Sequence, residues 1–253
     1  MKHTSAVALV TGANKGIGHE IARELAARGF TVLVGSRDVS RGQAAAQRIG
    51  GDARAIQLDV TDAESIAAAA ARIQRELGRL DILVNNAGIA RAHADGTPSS
   101  IENITREQAP SRMPLADIRA IFETNLFGTI AVTQALLPLL REAPAARIVN
   151  VSSGLGSLSR ITGPDLPFAR VGGIAYGPSK TALNAVTVAF AQELEGTRIK
   201  VNAVCPGFTA TDLNDHSGTR TVAEAARRPV ELALLGAEGP TGTLSNDAGV
   251  VGW

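Results

Sequence analysis

Short apolar runs alternate with longer amphipathic stretches through the first part of the chain. "AVALV" (6–10) has no polar position and reads as a strand covered on both faces. "IGHEIARELAARG" (17–29) repeats its apolar positions at helical spacing and closes on Gly29. The unit recurs as "TVLVGS" (31–36) with "DVSRGQAAAQRIG" (38–50), and again as "ARAIQLDV" (53–60) with "DAESIAAAAARIQRELG" (62–78). "DILVNNAG" (81–88) is a fourth strand running into a loop. Strands and helices in strict alternation predict a parallel sheet with helices on both faces, the doubly wound (Rossmann-type) α/β architecture.

The rhythm resumes further on. Residues 114–143 predict two helices or one long bent one, 146–153 a strand, 175–194 a helix and 199–207 another strand, with "GTLSN" (242–246) a candidate last strand. Two stretches interrupt it: 91–112 is polar with two prolines, and 158–173 is rich in glycine and proline. Loops of this length more often carry function than decorate a surface. No internal repeat and no boundary divides the chain, so 1–253 is expected to be one domain.

Composition narrows the function classes. With 45% apolar and 19% charged residues and a net charge of +1, the chain has the makings of a large core. It has no basic patch to suggest nucleic acid or an acidic membrane as partner. Cys205 is the only cysteine, which excludes a disulfide framework. The histidines at 3, 19, 93 and 216 lack ligand spacing, so no metal site is expected. The first apolar run is too short for a signal segment, and no stretch was expected to span a membrane. A cytoplasmic protein is the resulting expectation.

The chemistry begins at "TGANKGIG" (11–18), a glycine turn between a strand and a helix. Gly12 can take the sharp turn, Gly16 lets the backbone approach a phosphate, and Gly18 lets the helix pack close. Asn14, Lys15 and Ile17 sit within that turn, whose free N–H groups suit a pyrophosphate. An ordinary strand-to-helix turn is the bland alternative. At the end of the second strand, Asp38 lies at the distance where a carboxylate would hold the ribose hydroxyl of NAD. It is equally placed to cap the next helix. The side chain before it is Arg37, and Lys15 can reach the same point. Two cations suit a 2′-phosphate, and NADP(H) is the expected cofactor. Asp59, followed by Val60, can meet an adenine amino group or cap a helix. Asn86, Ala87 and Gly88 form a loop suited to a ribose or nicotinamide, or a plain turn.

One more pair stands out. Tyr176 is the only tyrosine, and Lys180, one of four lysines against twenty-one arginines, follows it by one helical turn. With the glycine turn, "NNAG" (85–88), Asn125 in "ETNLFG", Ser152–Ser153 in "NVSSG" and "CPGF" (205–208), these form an ordered series. It resembles the short-chain dehydrogenase/reductase family over essentially the whole chain. "SRDVSRGQAA" (36–45) and the ending at 233–253 are similar to NADPH-dependent carbonyl reductases and their plant ketoreductase relatives. The chain departs from that pattern at 91–112 and 154–173; the animal carbonyl reductases carry a longer insertion before the tyrosine.

The resemblance implies reduction of a small-molecule ketone or aldehyde to an alcohol. Tyr176 would be the proton donor, Lys180 the cation beside it, and Asn125 the holder of a relay water. Strand alternation sends Ser152 and Ser153 to opposite sides, and the family pattern selects Ser153 to hold the substrate oxygen. A free phenol has a pKa near 10, and the ammonium is expected to pull it down. Pro206, Gly207 and Thr209 belong to the segment that covers the nicotinamide, with Thr209 facing its carboxamide. Leu155, Phe208 and the 158–173 loop are candidate substrate walls, or simply core. A regulator that kept the fold and lost the chemistry is the rival from another class; a sugar-nucleotide epimerase would need a larger C-terminal region. The helix around 125–142 is apolar on more than one face, which implies a homodimer or homotetramer.

Overall fold

A computed structural model describes residues 6–92, 106–162 and 173–253. Most of the 91–112 loop and residues 163–172 of the second irregular stretch lie outside the described residues. The alternation predicted from the sequence is present: β1 (Val7–Val10), α1 (Gly16–Ala27), β2 (Thr31–Ser36), α2 (Val39–Ile49), β3 (Ala53–Gln57), α3 (Ala63–Glu76) and β4 (Ile82–Asn85). Then come α4 (Leu115–Phe122), a π-helical turn (Glu123–Phe127), α5 (Gly128–Arg141), β5 (Arg147–Val151), the short α6 (Leu158–Ile161), α7 (Tyr176–Glu193) and β6 (Lys200–Val204). The chain ends with α8 (Val222–Ala233) and the strands β7 (Leu244–Asn246) and β8 (Gly249–Val251).

The strands form one sheet in the order β3-β2-β1-β4-β5-β6-β7-β8, parallel except for the β7–β8 hairpin. Alternation along each strand feeds two cores. Leu9, Leu33, Leu83, Ile148 and Val201 point to one face, where α3, α5 and α7 cover them. Val10, Val34, Val84, Val149 and Val204 point to the other, under α1, α2 and α8. Each fully buried aliphatic side chain contributes on the order of 1.5–3 kcal/mol, so both faces hold the sheet.

Several strands stop earlier than the sequence suggests. The runs expected over 53–60, 81–88, 146–153 and 199–207 end at Gln57, Asn85, Val151 and Val204, because the polar and glycine residues beyond turn out of the ladder to build loops. Helix α8 and strand β8 are additions to the elements expected from the sequence. Thr221 and Glu224 form a reciprocal capping box at the start of α8, a signature legible in "TVAE".

Residues 115–141 form one continuous helix that carries a π-turn at 123–127. This stretch is long and apolar enough to cross a membrane by length and composition, which corrects the sequence reading; half of its most apolar window is buried within the fold. Much of the apolar surface that suggested a partner subunit is covered by the chain itself, including Val132, Leu136, Leu139 and Leu140, while Phe127 remains 52% exposed.

Next to the π-turn, Gly128 lies against the loop after β3. A Cβ there would come within 2.7 Å of the Val60 carbonyl oxygen. Replacing a helical glycine by alanine ordinarily stabilises by about 0.5–1 kcal/mol. Gly128→Ala is expected to destabilise instead, by about 1–3 kcal/mol, because the methyl overpacks the loop. Urea unfolding reads this directly, and a stabilised variant would contradict the packing described.

Candidate active site

The strand order reverses between β1 and β4, so their carboxyl ends flank a crevice, the usual ligand position in an open parallel sheet. A cleft of about 1070 Å³ runs across this edge. Gly12, Asn14, Lys15, Gly16 and Ile17 line one end; Ser153, Leu155, Tyr176, Lys180 and Phe208 line the other. Arg37, Asp59, Val60, Asn86, Ala87, Gly88, Pro206, Gly207 and Thr209 complete the wall on residues also singled out in the sequence. Gly18, buried beneath the turn, and Asn125, fully buried, lie behind the wall.

The glycine turn is shaped by close approach. Gly12 has φ +62°, and a Cβ on it would meet the Ala87 backbone at 3.0 Å. A Cβ on Gly18 would fall 2.3 Å from Asn86 Nδ2. That amide donates to the carbonyls of Thr11 (2.9 Å) and Gly12 (3.2 Å). The Thr11 hydroxyl in turn accepts from the backbone N–H groups of Asn86 and Ala87. The two loops are therefore stitched into one surface.

At the β2 end, Asp38 is the helix cap. Its carboxylate accepts from Arg41 N at 3.0 Å and lies 3.5 Å from the Arg41 guanidinium. The Arg37 side chain has no hydrogen-bond or ionic partner among the described residues. Lys15 is not free: it pairs with Asp212, which His216 also contacts at 2.9 Å. Asp59 turns its carboxylate onto Thr61, and Asp62 caps α3 instead.

At the other end, the two serines separate as strand alternation requires. The Ser152 hydroxyl is buried and donates to Asn184 Oδ1 at 2.6 Å. Ser153 faces the cleft beside Tyr176, and its hydroxyl accepts from Leu155 N at 3.2 Å. Lys180 follows one turn along α7, its Nζ 5.8 Å from the ring centroid and donating to the Val151 carbonyl at 2.8 Å. Asn125, fully buried in the π-turn, has its side chain committed: it accepts from Ile89 N (2.8 Å) and donates to Ile89 O (2.9 Å) and Ser179 Oγ (3.0 Å). The Thr209 hydroxyl is likewise turned onto the carbonyls of its own loop.

The electrostatics differ from the sequence argument. Tyr176 keeps some surface on the cleft, but the protein around its phenol is dense, and loss of water pushes its pKa up to about 12. The neighbouring Cys205 adds to the rise, and the nearby Ser153 hydroxyl opposes it. Burial lowers Lys180 to about 8. Desolvation is the leading cause of both shifts, so the phenol is held protonated rather than pulled toward phenolate.

Sequence reasoning missed Gln108. Buried between segments distant in sequence, it donates from Nε2 to Ala90 O (2.6 Å) and accepts from the Tyr176 N–H at Oε1 (3.4 Å). Its backbone carbonyl accepts from Ile174 N at 2.9 Å. Ala175 supplies no side-chain cap to α7, and Gln108 provides one from across the cleft. Nothing in the polar stretch 91–112 signalled this contact. Arg160, Asp212 and Cys205 also line the cleft; the sequence reading gives none of these three side chains a role there, although it singles out the 158–173 and 206–213 segments.

The family model described as short chain dehydrogenase matches residues 6–221. The chain is 38% identical to (-)-isopiperitenone reductase of Mentha piperita, covering 96% of each sequence. It is 35% identical to carbonyl reductase [NADPH] 1 of Bos taurus, covering 100% of both. Among solved structures, salutaridine reductase from Papaver somniferum superposes with a TM-score of 0.78 at 32% identity, over 96% of this chain and 99% of that one. The chain belongs to the short-chain dehydrogenase family. Within it, it is an oxidoreductase similar to the carbonyl reductases.

The depressed lysine has a measurable consequence. The unfolded chain holds its proton up to the ordinary value of 10.5, whereas the folded chain releases it near 8. Between those values the unfolded state binds more protons, so stability rises with pH. The stability of the wild-type protein minus that of Lys180→Met is expected to climb across this window by up to about 3 kcal/mol. Chemical unfolding of both proteins at stepped pH checks it, and a flat or falling difference would contradict burial as the dominant cause.

Proposed function

We propose that the protein reduces a ketone or aldehyde to an alcohol with NADPH. The observation that carries this reading is the meeting, at one end of the cleft, of the Ser153 hydroxyl, the Tyr176 phenol and the Lys180 ammonium. When bound, the nicotinamide supplies a hydride to the carbonyl carbon. The protein's part is the oxygen. Ser153 donates a hydrogen bond as negative charge grows there. Tyr176, held protonated by its surroundings, transfers its proton to the same oxygen and completes the alcohol. Lys180 is cationic below about 8 and stabilises the phenolate left behind. Asn125, clamped on Ile89 and Ser179, fixes the loop and helix that flank this lysine, and a water held beside it would return the proton from solvent.

NADP(H) rather than NAD(H) is supported by the β2 end of the cleft. Asp38 is spent on its helix and its own arginine, and Arg37 lacks a partner among the described residues. A 2′-phosphate there meets a guanidinium suited to it. Lys15 would join only by exchanging Asp212 for the phosphate, so Arg37 is the principal anchor. The glycine turn, with Asn14, Gly16 and Ile17, would cradle the pyrophosphate.

Tyr176→Phe is expected to lower carbonyl-dependent NADPH oxidation by about 10²–10⁴-fold while leaving NADPH affinity nearly unchanged. A panel of ketones and aldehydes followed by NADPH absorbance checks it; retention of more than about half the activity would overturn the assignment. Tight NADPH binding with no turnover on any carbonyl would favour the regulator instead. Arg37→Ala is expected to weaken NADPH binding by roughly 10- to 100-fold with little change for NADH, as befits a lost charge-assisted contact. Fluorescence titration separates the two, and equal losses for both cofactors would mean a packing role.

A further inference from the structure

Cations are numerous along the cleft, and nearly all are matched. Lys15 pairs with Asp212, Arg41 with Asp38, Arg91 with Asp215 at 3.2 Å, and Arg220 with Asp247. Two guanidiniums lining it have no hydrogen-bond or ionic partner among the described residues: Arg37 and Arg160. Arg37 is accounted for by the dinucleotide. Arg160 lies at the opposite end, on α6.

Its position is fixed by Gly154, the residue after Ser153. A Cβ on Gly154 would meet Arg160 Nη1 at 3.4 Å, with Cys205 Sγ at 3.5 Å on the same spot. Adding backbone geometry, the guanidinium is at most roughly 9 Å from the Ser153 Cα. Arg160 is anchored by its own backbone, Arg160 N donating to Ser157 O at 3.2 Å and to Ser157 Oγ at 3.3 Å. It is also half-buried, so its charge is partly stripped of water with nothing among the described residues to replace it. A planar fork of donors in that state suits a carboxylate held by two parallel hydrogen bonds.

We propose that Arg160 binds a carboxylate on the carbonyl substrate, so that the preferred substrates are keto acids or aldehyde acids. This rests on the reductase reading: the carbonyl oxygen sits between Ser153 and Tyr176, and the carboxylate reaches across Gly154 to Arg160. The distance allows a few bonds between the two groups. The matched cations nearby do not compete, since each already faces an acid of the chain. The sequence reading makes Leu155, Phe208 and the 158–173 loop an apolar substrate wall, and Arg160 is a charged member of that loop.

The test compares 4-carboxybenzaldehyde with its methyl ester, two substrates of one shape and different charge. In the wild-type enzyme with NADPH, kcat/KM is expected to favour the acid. Arg160→Met is expected to lower the acid-to-ester ratio of kcat/KM by roughly 10- to 100-fold, the range for a lost hydrogen bond to a charged group. Arg160→Lys, which keeps the charge but not the fork, should restore part of it. A ratio that moves by less than about threefold, or acid and ester falling together, would overturn the proposal. Arg160→Gln provides a second replacement should the methionine variant melt early. Wild-type protein that turns over neither aldehyde nor any carbonyl of the wider panel would instead sink the reductase reading. Calorimetric titration with benzoate then decides the site by itself: saturable binding lost in Arg160→Met supports it, and equal or absent binding in both proteins overturns it.

Discussion

The account depends on the removal of water from a phenol and an ammonium one helical turn apart. Tyr176 and Lys180 share a face of α7 where it packs against β5, and the cost of charging either group there is high. The same burial moves them in opposite directions, the phenol up to about 12 and the lysine down to about 8. Near neutral pH this leaves a neutral acid beside a cation. That is the pairing a carbonyl reduction requires: a proton ready to leave and a charge ready to receive the anion it leaves behind.

Everything around the pair serves to hold it there. The Lys180 ammonium is tied to the Val151 carbonyl at the end of β5, the strand that continues into Ser152 and Ser153. Ser152 turns inward onto Asn184 of the same helix, which locks strand to helix and leaves Ser153 facing the cleft. Asn125, within the π-turn, clamps the loop after β4 onto α7 through Ile89 and Ser179. Gln108 closes the ring by capping the helix at Tyr176 itself. The result is a preorganised group of Ser153, Tyr176 and Lys180 at one end of the cleft, with the other end assembled independently by Thr11 and Asn86.

Much of this was legible in the sequence. Apolar runs of strand length and helices at helical period gave the doubly wound order, and alternation alone separated Ser152 from Ser153. Asp38 was readable as a cap because it stands directly before an amphipathic run. What escaped belongs to contacts between distant segments. Gln108 touches Ala90 and Tyr176, Asp212 takes Lys15, and Arg160 folds over Gly154. No periodicity encodes such meetings. The direction of the tyrosine's shift escaped for a related reason: spacing shows that an ammonium is near, whereas the amount of water lost depends on the whole packing around it. Helix α8 is a different case, since its capping box stands in the sequence itself.

Because Tyr176 is the only tyrosine, its ionisation can be followed in the unmodified protein. Ultraviolet absorbance of the phenolate, recorded against pH alongside circular dichroism to mark the folded range, reports one group without assignment. The account predicts that the phenol stays protonated past its ordinary value of 10 and ionises only toward about 12 or upon unfolding. Ionisation at or below 10 in the folded protein would contradict it, and would mean that Lys180 outweighs the loss of water.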